Sequence, residues 1–326
     1  MAAFTRNEIV ELLKIPFDEF EQTIFPRAKA AYKEARGNVL LATAVLSYSN
    51  ICKNSCLYCG MSSKNRNLKR FRMSPDEIVE AAKHAREIGF TRVFMVSGED
   101  MGFGFDNILS AVRGVSDQGF FISLACGEFT EDQYRMLRDA GVDEYVVKFE
   151  MADEAVFNRL NPTTTFEKRM NSIRNVQKSG LRLASGGIVD YPGQTPEQLA
   201  DDILLSKELG ITWAPNIPYQ PVVGSPLAEE GGPGSPEINL RHIAILRILM
   251  PDINITAQQP GRMTENGMAS NEQGSLDALN AGANILFFDL TPKLLAQEFR
   301  AVDNRHAPAF ENLRAMSEQS GMPLVF

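Results

Sequence analysis

Residues 41–59 read LATAVLSYSNICKNSCLYC, an apolar run followed at once by a polar loop that contains three cysteines. The apolar part, residues 41–47, predicts a buried β-strand. The loop carries Cys52, Cys56 and Cys59 in the spacing C-x3-C-x2-C. A strand that leads directly into a loop with reactive side chains is typical of a βα unit whose loop carries function.

The same alternation of short apolar runs and longer helical patterns continues along the chain. Eight strands with intervening helices favour a closed (βα)8 barrel of TIM type over an open doubly wound sheet. Helix starts such as Ser74-Pro75-Asp76-Glu77 and Thr195-Pro196-Glu197-Gln198 support this order, because each combines an N-cap residue with a first-turn proline. The strands predicted after the first are residues 92–97, 120–125, 144–149, 181–189, 212–218, 254–257 and 283–288.

The remaining segments predict a single domain with a helical extension. Residues 4–36 have the pattern of two amphipathic helices, which we expect to pack on the barrel across one of its ends. Residues 224–237 are rich in Gly, Pro and Glu and predict an exposed loop. Because no linker divides the chain, we predict N-terminal helices at 1–36 and a barrel with a C-terminal helix at 37–326.

Composition narrows the function classes. The 326 residues are 44% hydrophobic, enough for a large core, and the formal net charge of -8 argues against general nucleic-acid binding. No apolar stretch has the length of a membrane helix, and the first eight residues lack the apolar run of a secretory signal. We therefore expect a cytoplasmic protein with no membrane or nucleic-acid partner, in a compartment that keeps thiols reduced.

The cysteine spacing indicates a metal loop. Three thiolates on one short loop can bind one face of a four-iron cube and leave one iron open to a small molecule. A disulfide would require an oxidising compartment, and structural zinc would require a fourth ligand, although the nearest histidine is only His84. A non-catalytic iron-sulfur or metal-binding protein is the alternative from another class.

Polar residues at the ends of predicted strands should meet the cysteine loop, because the carboxyl ends of barrel strands gather at one mouth. Such segments are Ser97-Gly98-Glu99-Asp100, Lys148-Phe149-Glu150 and Gly186 to Asp190. Cys126 ends the third strand, where it is either a small buried residue or a reactive thiol near the mouth.

The cysteine loop, with Tyr58 before its last cysteine, resembles that of the radical S-adenosylmethionine (SAM) superfamily. Residues 47–80 are similar to the HydE-like [FeFe]-hydrogenase maturases, and beyond them to methylornithine synthases and biotin synthases. The similarity continues through 97–100, Glu150, 166–171, 192–195, 224–227 and 280–284. It implies that the cysteines hold a 4Fe-4S cluster, that SAM binds the open iron, and that SAM is reductively cleaved to methionine and a 5′-deoxyadenosyl radical.

The resemblance also suggests which residues contact SAM. A carboxylate such as Glu150 can accept both ribose hydroxyls, and the planar guanidinium of Arg169 matches a carboxylate. Lys148 stands where HydE-like sequences carry an arginine near SAM, and Lys148 and Cys126 are the candidate catalytic residues. The full set of expected cofactor contacts is Tyr58, Ser97, Gly98, Glu99, Glu150, Arg169, Gly187 and Ile188.

For the reaction, HydE-like maturase chemistry on a small substrate is the first prediction, and an amino-acid mutase of methylornithine-synthase type is the alternative. Biotin synthases carry further cysteines for a second cluster, whereas Cys126 is the only other cysteine here. Residues 256–262 do not match the substrate contacts expected in HydE-like maturases or in methylornithine synthases. His84 and His242 are predicted to be packing or surface residues. The candidate substrate contacts are Asn216, Tyr219, Gln258, Gln259, Arg262 and Asp289.

A basic run follows the cysteine loop and bears on the electron donor. It consists of Lys64, Arg66, Lys69 and Arg70. Such a run could attract an acidic flavodoxin or ferredoxin, or it could be an ordinary solvated face.

Overall fold

The computed structural model describes residues 4–265, 267–302 and 310–326. Its strands are β1 (Leu40–Ser49), β2 (Arg92–Ser97), β3 (Phe121–Ala125), β4 (Glu144–Val146), β5 (Arg182–Ala184), β6 (Trp213–Ala214), β7 (Asn254–Ile255), β8 (Met263–Thr264), β9 (Gly267–Met268), β10 (Ile285–Asp289) and β11 (Leu324–Val325). Its helices are α1 (Arg6–Lys14), α2 (Phe17–Arg36), α3 (Pro75–Ile88), α4 (Phe105–Ser116), α5 (Glu131–Asp139), α6 (Glu154–Leu160), α7 (Phe166–Ser179), α8 (Pro196–Glu208), α9 (Pro236–Leu249), α10 (Asn271–Asn280), α11 (Lys293–Ala296) and α12 (Phe310–Ser320).

Eight parallel strands form the predicted barrel. Their order is β10, β1, β2, β3, β4, β5, β6, β7. An isolated bridge between Thr256 and Ile285 joins the two ends, and the Ala257 N–H donates to the Ile285 carbonyl at 2.8 Å. β11 adds a parallel partner to the start of β1, and β8 and β9 form a separate antiparallel hairpin. The TIM-type fold predicted from the alternating pattern is confirmed.

Several strands are shorter than predicted. β4, β5 and β6 end at Val146, Ala184 and Ala214, before their predicted ends. Isolated parallel bridges continue the pairing beyond them, between Glu150 and Gly187 and between Val189 and Pro218. The apolar runs therefore stay side by side toward the mouth, but their backbone leaves regular strand geometry.

The interior is filled by aromatic and polar side chains. Phe94, Trp213 and Phe287 pack together, with ring centroids 5.0 to 6.0 Å apart. Toward the amino ends of the strands, the buried Glu144 carboxylate accepts hydrogen bonds from Ser123 at 2.8 Å and Thr212 at 2.7 Å. This packing leaves the carboxyl-end mouth as the place for a ligand.

The two predicted N-terminal helices are present as α1 and α2, but they lie on the flank of the barrel. α1 packs on α8 and α9, and α2 packs on α9. The buried Arg241 of α9 donates to the carbonyls of Leu12 at 3.0 Å and Ile15 at 2.7 Å, which are otherwise unpaired at the end of α1. These helices thus extend the outer helical layer, and the expectation that they cross an end of the barrel is wrong. Within the described part of the chain, every helix is too short or too polar to span a bilayer.

Candidate active site

The cysteine loop follows β1 and is tied to its neighbours by backbone hydrogen bonds. The Lys53 N–H donates to the Glu99 carbonyl after β2 at 3.0 Å, and the Leu57 N–H donates to the Leu160 carbonyl at the end of α6 at 2.9 Å. The Leu227 N–H, from the loop after β6, donates to the Leu57 carbonyl at 3.1 Å. Three barrel units therefore fix the loop at the mouth. Leu227 itself is buried, so the predicted loop at 224–237 is exposed only in part.

The three cysteines lie close enough to influence one another. Burial is the main cause that raises the pKa of the Cys56 and Cys59 thiols to about 12, and the charges of neighbouring loop thiolates contribute to this increase. Cys52 and Cys59 contact one apolar group that contains Met61 and Phe299. The Glu99 N–H lies 3.4 Å from Cys52 Sγ and can stabilise a ligand sulfur. Half-buried thiols that need a positive partner to ionise fit an iron-sulfur cluster held by three thiolates.

Gly98 is required by the cysteine loop itself. A Cβ atom at this position would lie 2.3 Å from the Ile51 carbonyl oxygen and 2.7 Å from Cys52 Cβ. Sequence reasoning listed this glycine among the expected cofactor contacts. The structure shows that the missing side chain lets the loop approach the end of β2.

We predict that Gly98→Ala displaces the loop and lowers the cluster content well below that of the parent protein, because the backbone carbonyl of Ile51 cannot move without the loop. Iron and sulfide per chain after anaerobic reconstitution measure this. Gly232→Ala is the matched control, since a Cβ there meets nothing within 4 Å. Equal cluster content in both variants would contradict the prediction.

Two polar side chains, the buried Asn50 and the half-buried Arg70, hold the segment that follows the cysteines. The Asn50 side chain donates to the carbonyls of Lys69 at 2.9 Å and Glu298 at 2.8 Å, and accepts from the Phe71 N–H at 2.8 Å. Arg70 donates at 2.6 to 3.2 Å to the carbonyls of Asn50, Met61, Ser62 and Asn65. Arg70 therefore stabilises the cysteine loop and the segment after it, whereas the other three residues of the basic run are exposed.

A charged group lies beside the cysteine loop. Lys148 Nζ is 3.2 Å from Glu150 Oε2, and Arg169 donates through Nε to Glu128 Oε1 at 2.6 Å and through Nη1 to the Lys148 carbonyl. Burial lowers the pKa of Arg169, but the charges of Glu128 and Glu150 more than reverse this effect and raise it overall. The Glu150 charge raises the pKa of Cys56 and the Arg169 charge lowers it. Both predicted SAM contacts thus lie within electrostatic range of Cys56, a predicted cluster ligand.

Glu150 has an unusual backbone. Its φ of 64° lies in the left-handed region, which costs free energy for a residue with a side chain. The Glu150 N–H donates to the Gly186 carbonyl at 3.1 Å, and the Ile188 N–H donates to the Glu150 carbonyl at 2.8 Å. The ends of β4 and β5 are thereby joined at Glu150 and Gly187.

An apolar wall lies on the other side of the loop. Tyr58 packs in one cluster with Ile188, Tyr219 and Leu227, and its hydroxyl donates to Asn161 Oδ1 at 2.8 Å. Three residues predicted separately, Tyr58, Ile188 and Tyr219, are therefore brought together. Such a wall suits the flat face of a base.

The side chains of Ser97 and Glu99 form hydrogen bonds and an ion pair with other groups of the protein. The Ser97 hydroxyl donates to the Gly98 carbonyl at 2.7 Å. The Glu99 carboxylate pairs with Lys53 at 2.6 Å and accepts from Asn54 Nδ2 at 2.8 Å. Since Lys53 and Asn54 lie between the first two cysteines, Glu99 stabilises the cysteine loop.

The predicted substrate contacts are dispersed. Asn216 is buried, with Nδ2 3.1 Å from His242 Nε2, and burial lowers the pKa of His242 to about 3 with a further contribution from Lys148. Gln259 is buried. Its Oε1 accepts from Asn239 Nδ2 at 2.8 Å, and its Nε2 donates to the Gly274 carbonyl at 3.2 Å. Asn216 thus contacts α9 through His242, whereas Gln259 joins α9 to α10.

Gln258, Asp289 and Arg262 lie elsewhere. Gln258 Oε1 accepts from the Phe287 N–H at 3.1 Å, and Asp289 Oδ1 accepts from the Thr291 N–H at 2.9 Å, so both stay near β10. Arg262 pairs with Asp277 at 2.9 Å and lies over the Phe17 ring of α2 at 4.9 Å. The structure therefore gives Arg262 a role in attaching α2, away from the charged group at the mouth.

Cys126 lies in the main hydrophobic core. Its Sγ is 3.5 Å from the Tyr145 hydroxyl, and burial raises the pKa of the thiol to about 11. This environment favours the small buried residue over the reactive thiol.

Sequence reasoning missed Glu128, whereas His242 is buried in α9, in agreement with its predicted packing role. Glu128 comes two residues after Cys126, at the end of the third strand, and the rule that selected Glu150 would have selected it too. His242 was assigned to packing because it lies in a helical pattern. Its contact with Asn216 depends on the angle at which α9 meets the barrel, which the sequence does not give.

Comparisons with known proteins show the family of this chain. A model described as the Radical SAM superfamily matches residues 46–205. The [FeFe] hydrogenase maturase subunit HydE of Thermotoga maritima is 33% identical over 298 residues, which covers 91% of this chain and 83% of that protein. A biotin synthase of Colwellia psychrerythraea is 27% identical, with 96% and 88% covered.

Solved structures share the fold. Methylornithine synthase (PylB) aligns with a TM-score of 0.85 at 23% identity, covering all of this chain and 95% of that chain. The FeFe-hydrogenase maturase HydG of Carboxydothermus hydrogenoformans aligns with a TM-score of 0.81 at 20% identity, covering 99% and 76%. At identities of 23% and 20%, these alignments show a shared barrel fold only.

Proposed function

This chain belongs to the radical SAM superfamily, and we propose that it is a SAM-cleaving enzyme of HydE type that acts on a small molecule inside the barrel. When bound, the reduced 4Fe-4S cluster supplies the electron that breaks a carbon-sulfur bond of SAM, giving methionine and a 5′-deoxyadenosyl radical. The residues of the chain bind and orient these cofactors and exclude water from the barrel.

The proposed SAM site is built from the groups next to Cys56. Arg169 offers its guanidinium to the carboxylate of SAM, and Glu150 offers its carboxylate to the ribose hydroxyls. Ile188 and Tyr58 provide the apolar wall for the adenine. The observation that carries this assignment is the pairing of Glu150 with Lys148 at 3.2 Å, together with the hydrogen bond of Arg169 to the Lys148 carbonyl, which brings both predicted SAM contacts to the end of β4.

The maturase reaction is supported by the 33% identity to HydE over most of both chains. The cysteine content supports it further. The sequence has four cysteines, of which three form the cluster loop and the fourth, Cys126, is buried in the core. No set of thiols is left for the second cluster that the resemblance to biotin synthases would require.

Complementation tests the maturase proposal. The chain is expressed in a hydrogenase-producing strain that lacks its own HydE, and hydrogen production is measured. We expect activity with the parent chain and none with a Cys56→Ala variant. Production of a rearranged carbon skeleton from free lysine, without complementation, would instead favour the mutase.

We also propose where an acidic electron donor binds. Lys64, Arg66 and Lys69 are exposed beside the cluster loop of a chain whose net charge is -8. A local positive surface on an acidic protein favours an acidic partner such as a flavodoxin or ferredoxin. The proximity of these side chains to the cysteines would place the donor near the cluster.

Reversing two of these charges should weaken donor binding. We predict that Lys64→Glu with Lys69→Glu raises the KM for reduced flavodoxin about tenfold at low salt, since about 1.4 kcal/mol corresponds to tenfold. SAM cleavage driven by dithionite should be unchanged, and Lys83→Glu with Lys207→Glu is the matched control on exposed lysines of α3 and α8. Equal effects with both reductants would contradict the proposed surface.

A further inference from the structure

Asp202 of α8 is a buried carboxylate without a cationic partner. Its side chain accepts the Ala152 N–H at 2.6 Å through Oδ1 and the Gln194 Nε2–H at 2.8 Å through Oδ2. Within the described ranges no ion pair involves it, and the residue is 2% exposed. Burial raises its pKa to about 8, and the charges of Asp201 and Asp153 add to this effect. A buried carboxylate without a cation is costly, so its two hydrogen bonds need an explanation.

Each hydrogen-bond partner of Asp202 lies near, or is bonded to, a residue whose backbone is in the left-handed region. Ala152 comes two residues after Glu150, whose φ is 64°. Gln194 uses its Oε1 to accept the N–H of Asp190, whose φ is 57°, at 2.5 Å. Each such conformation costs on the order of 1–3 kcal/mol, and it persists only where neighbouring contacts enforce it. Asp202 thus connects the two strained ends of the strands that form the proposed SAM site.

Asp202 also limits the space around Gly187. A Cβ atom on Gly187 would lie 3.1 Å from the Glu150 carbonyl oxygen and 3.2 Å from Asp202 Oδ2. The Asp202 carboxylate is therefore a close neighbour of the Glu150–Gly187 bridge. It packs against the segment that leads into Ile188.

We propose that Asp202 is a positioning residue for SAM: it holds the backbone of Glu150 and of Gly187 with Ile188 in the shape that receives the ribose and the adenine. The inference rests on the proposed SAM-cleaving function. Asp202 acts through these segments, and its hydrogen bonds go to residues outside the cysteine loop. Its loss should therefore affect SAM binding without affecting the cluster.

The experiment compares Asp202→Ala, Asp202→Asn and the control Asp201→Asn, a neighbour on the same helix that is exposed and paired with Arg6 at 2.5 Å. Each protein is reconstituted anaerobically. Iron content, the Kd for SAM, and the kcat and KM of dithionite-driven SAM cleavage are then measured.

We expect Asp202→Ala to retain iron and kcat but to raise the Kd and KM for SAM about tenfold, which corresponds to the loss of roughly one hydrogen bond. Asp202→Asn keeps an oxygen for the Ala152 N–H, so its increase should be smaller, and Asp201→Asn should match the parent. Loss of iron and kcat together in both Asp202 variants, or unchanged SAM affinity in both, would overturn the inference.

A Glu150→Ala variant separates this failure from failure of the SAM site. If Glu150→Ala leaves SAM affinity unchanged, the assignment of the ribose contact is wrong. If Glu150→Ala weakens SAM binding while both Asp202 variants bind as the parent does, the SAM site stands and the positioning role of Asp202 is wrong.

Discussion

Replacement of Cys56 by alanine is expected to remove the iron-sulfur cluster. The three ligands lie on one short loop, and among the described cysteines only Cys126 remains, in the core and hydrogen-bonded to Tyr145. Two thiolates cannot retain a cube that needs three, so iron and sulfide per chain and the brown absorption should fall to background after anaerobic reconstitution.

Cys126→Ala is the control for this prediction. It removes a thiol of the same kind from a buried position outside the loop, and its iron content should equal that of the parent. A Cys56 variant that retained full iron and sulfide would show that the loop is not the cluster site.

Replacement of Arg169 by alanine should have the second-largest effect. The variant loses the proposed contact to the SAM carboxylate and leaves the Glu128 carboxylate and the Lys148 carbonyl without their donor. A hydrogen bond to a charged group is worth about 1.5–3 kcal/mol, so the Kd for SAM should rise roughly 10- to 150-fold. Titration of the reconstituted protein with SAM measures this increase.

Two further variants serve as controls for the Arg169→Ala result. Arg174→Ala, an exposed arginine of the same helix that donates to Asn171 at 2.7 Å, should leave SAM binding unchanged. Arg169→Lys should fall between, because an ammonium can pair with Glu128 but lacks the fork that also reaches the Lys148 carbonyl. Parent-like affinity in Arg169→Ala would remove this residue from the SAM site.

The barrel could be predicted because its information is local. Each apolar run and each capped helix start, such as Ser74 with its side-chain contact to Glu77, is set by neighbouring residues. Eight such units leave few architectures. The left-handed backbone at Glu150 and Asp190, beyond the ends of β4 and β5, could not be predicted, because it is enforced by tertiary contacts and no local sequence pattern signals it.

The site could be predicted only in part, for a related reason. Strand ends selected Glu150 and Lys148, which the structure places together beside the cysteine loop. The contacts of Arg262 with Asp277 and Phe17 could not be anticipated, since they depend on where α2 lies on the flank. The packing of Gly98 against Ile51 could not be predicted, because this close approach is a tertiary contact without a sequence pattern.

The central claim is that the cluster on Cys52, Cys56 and Cys59 cleaves SAM. Its most direct test is the formation of 5′-deoxyadenosine by the anaerobically reconstituted protein after reduction with dithionite and addition of SAM. We predict that the parent chain forms this product and that the Cys56→Ala variant does not. A fully loaded, reduced protein that forms no 5′-deoxyadenosine, or equal product from the variant, would contradict the claim.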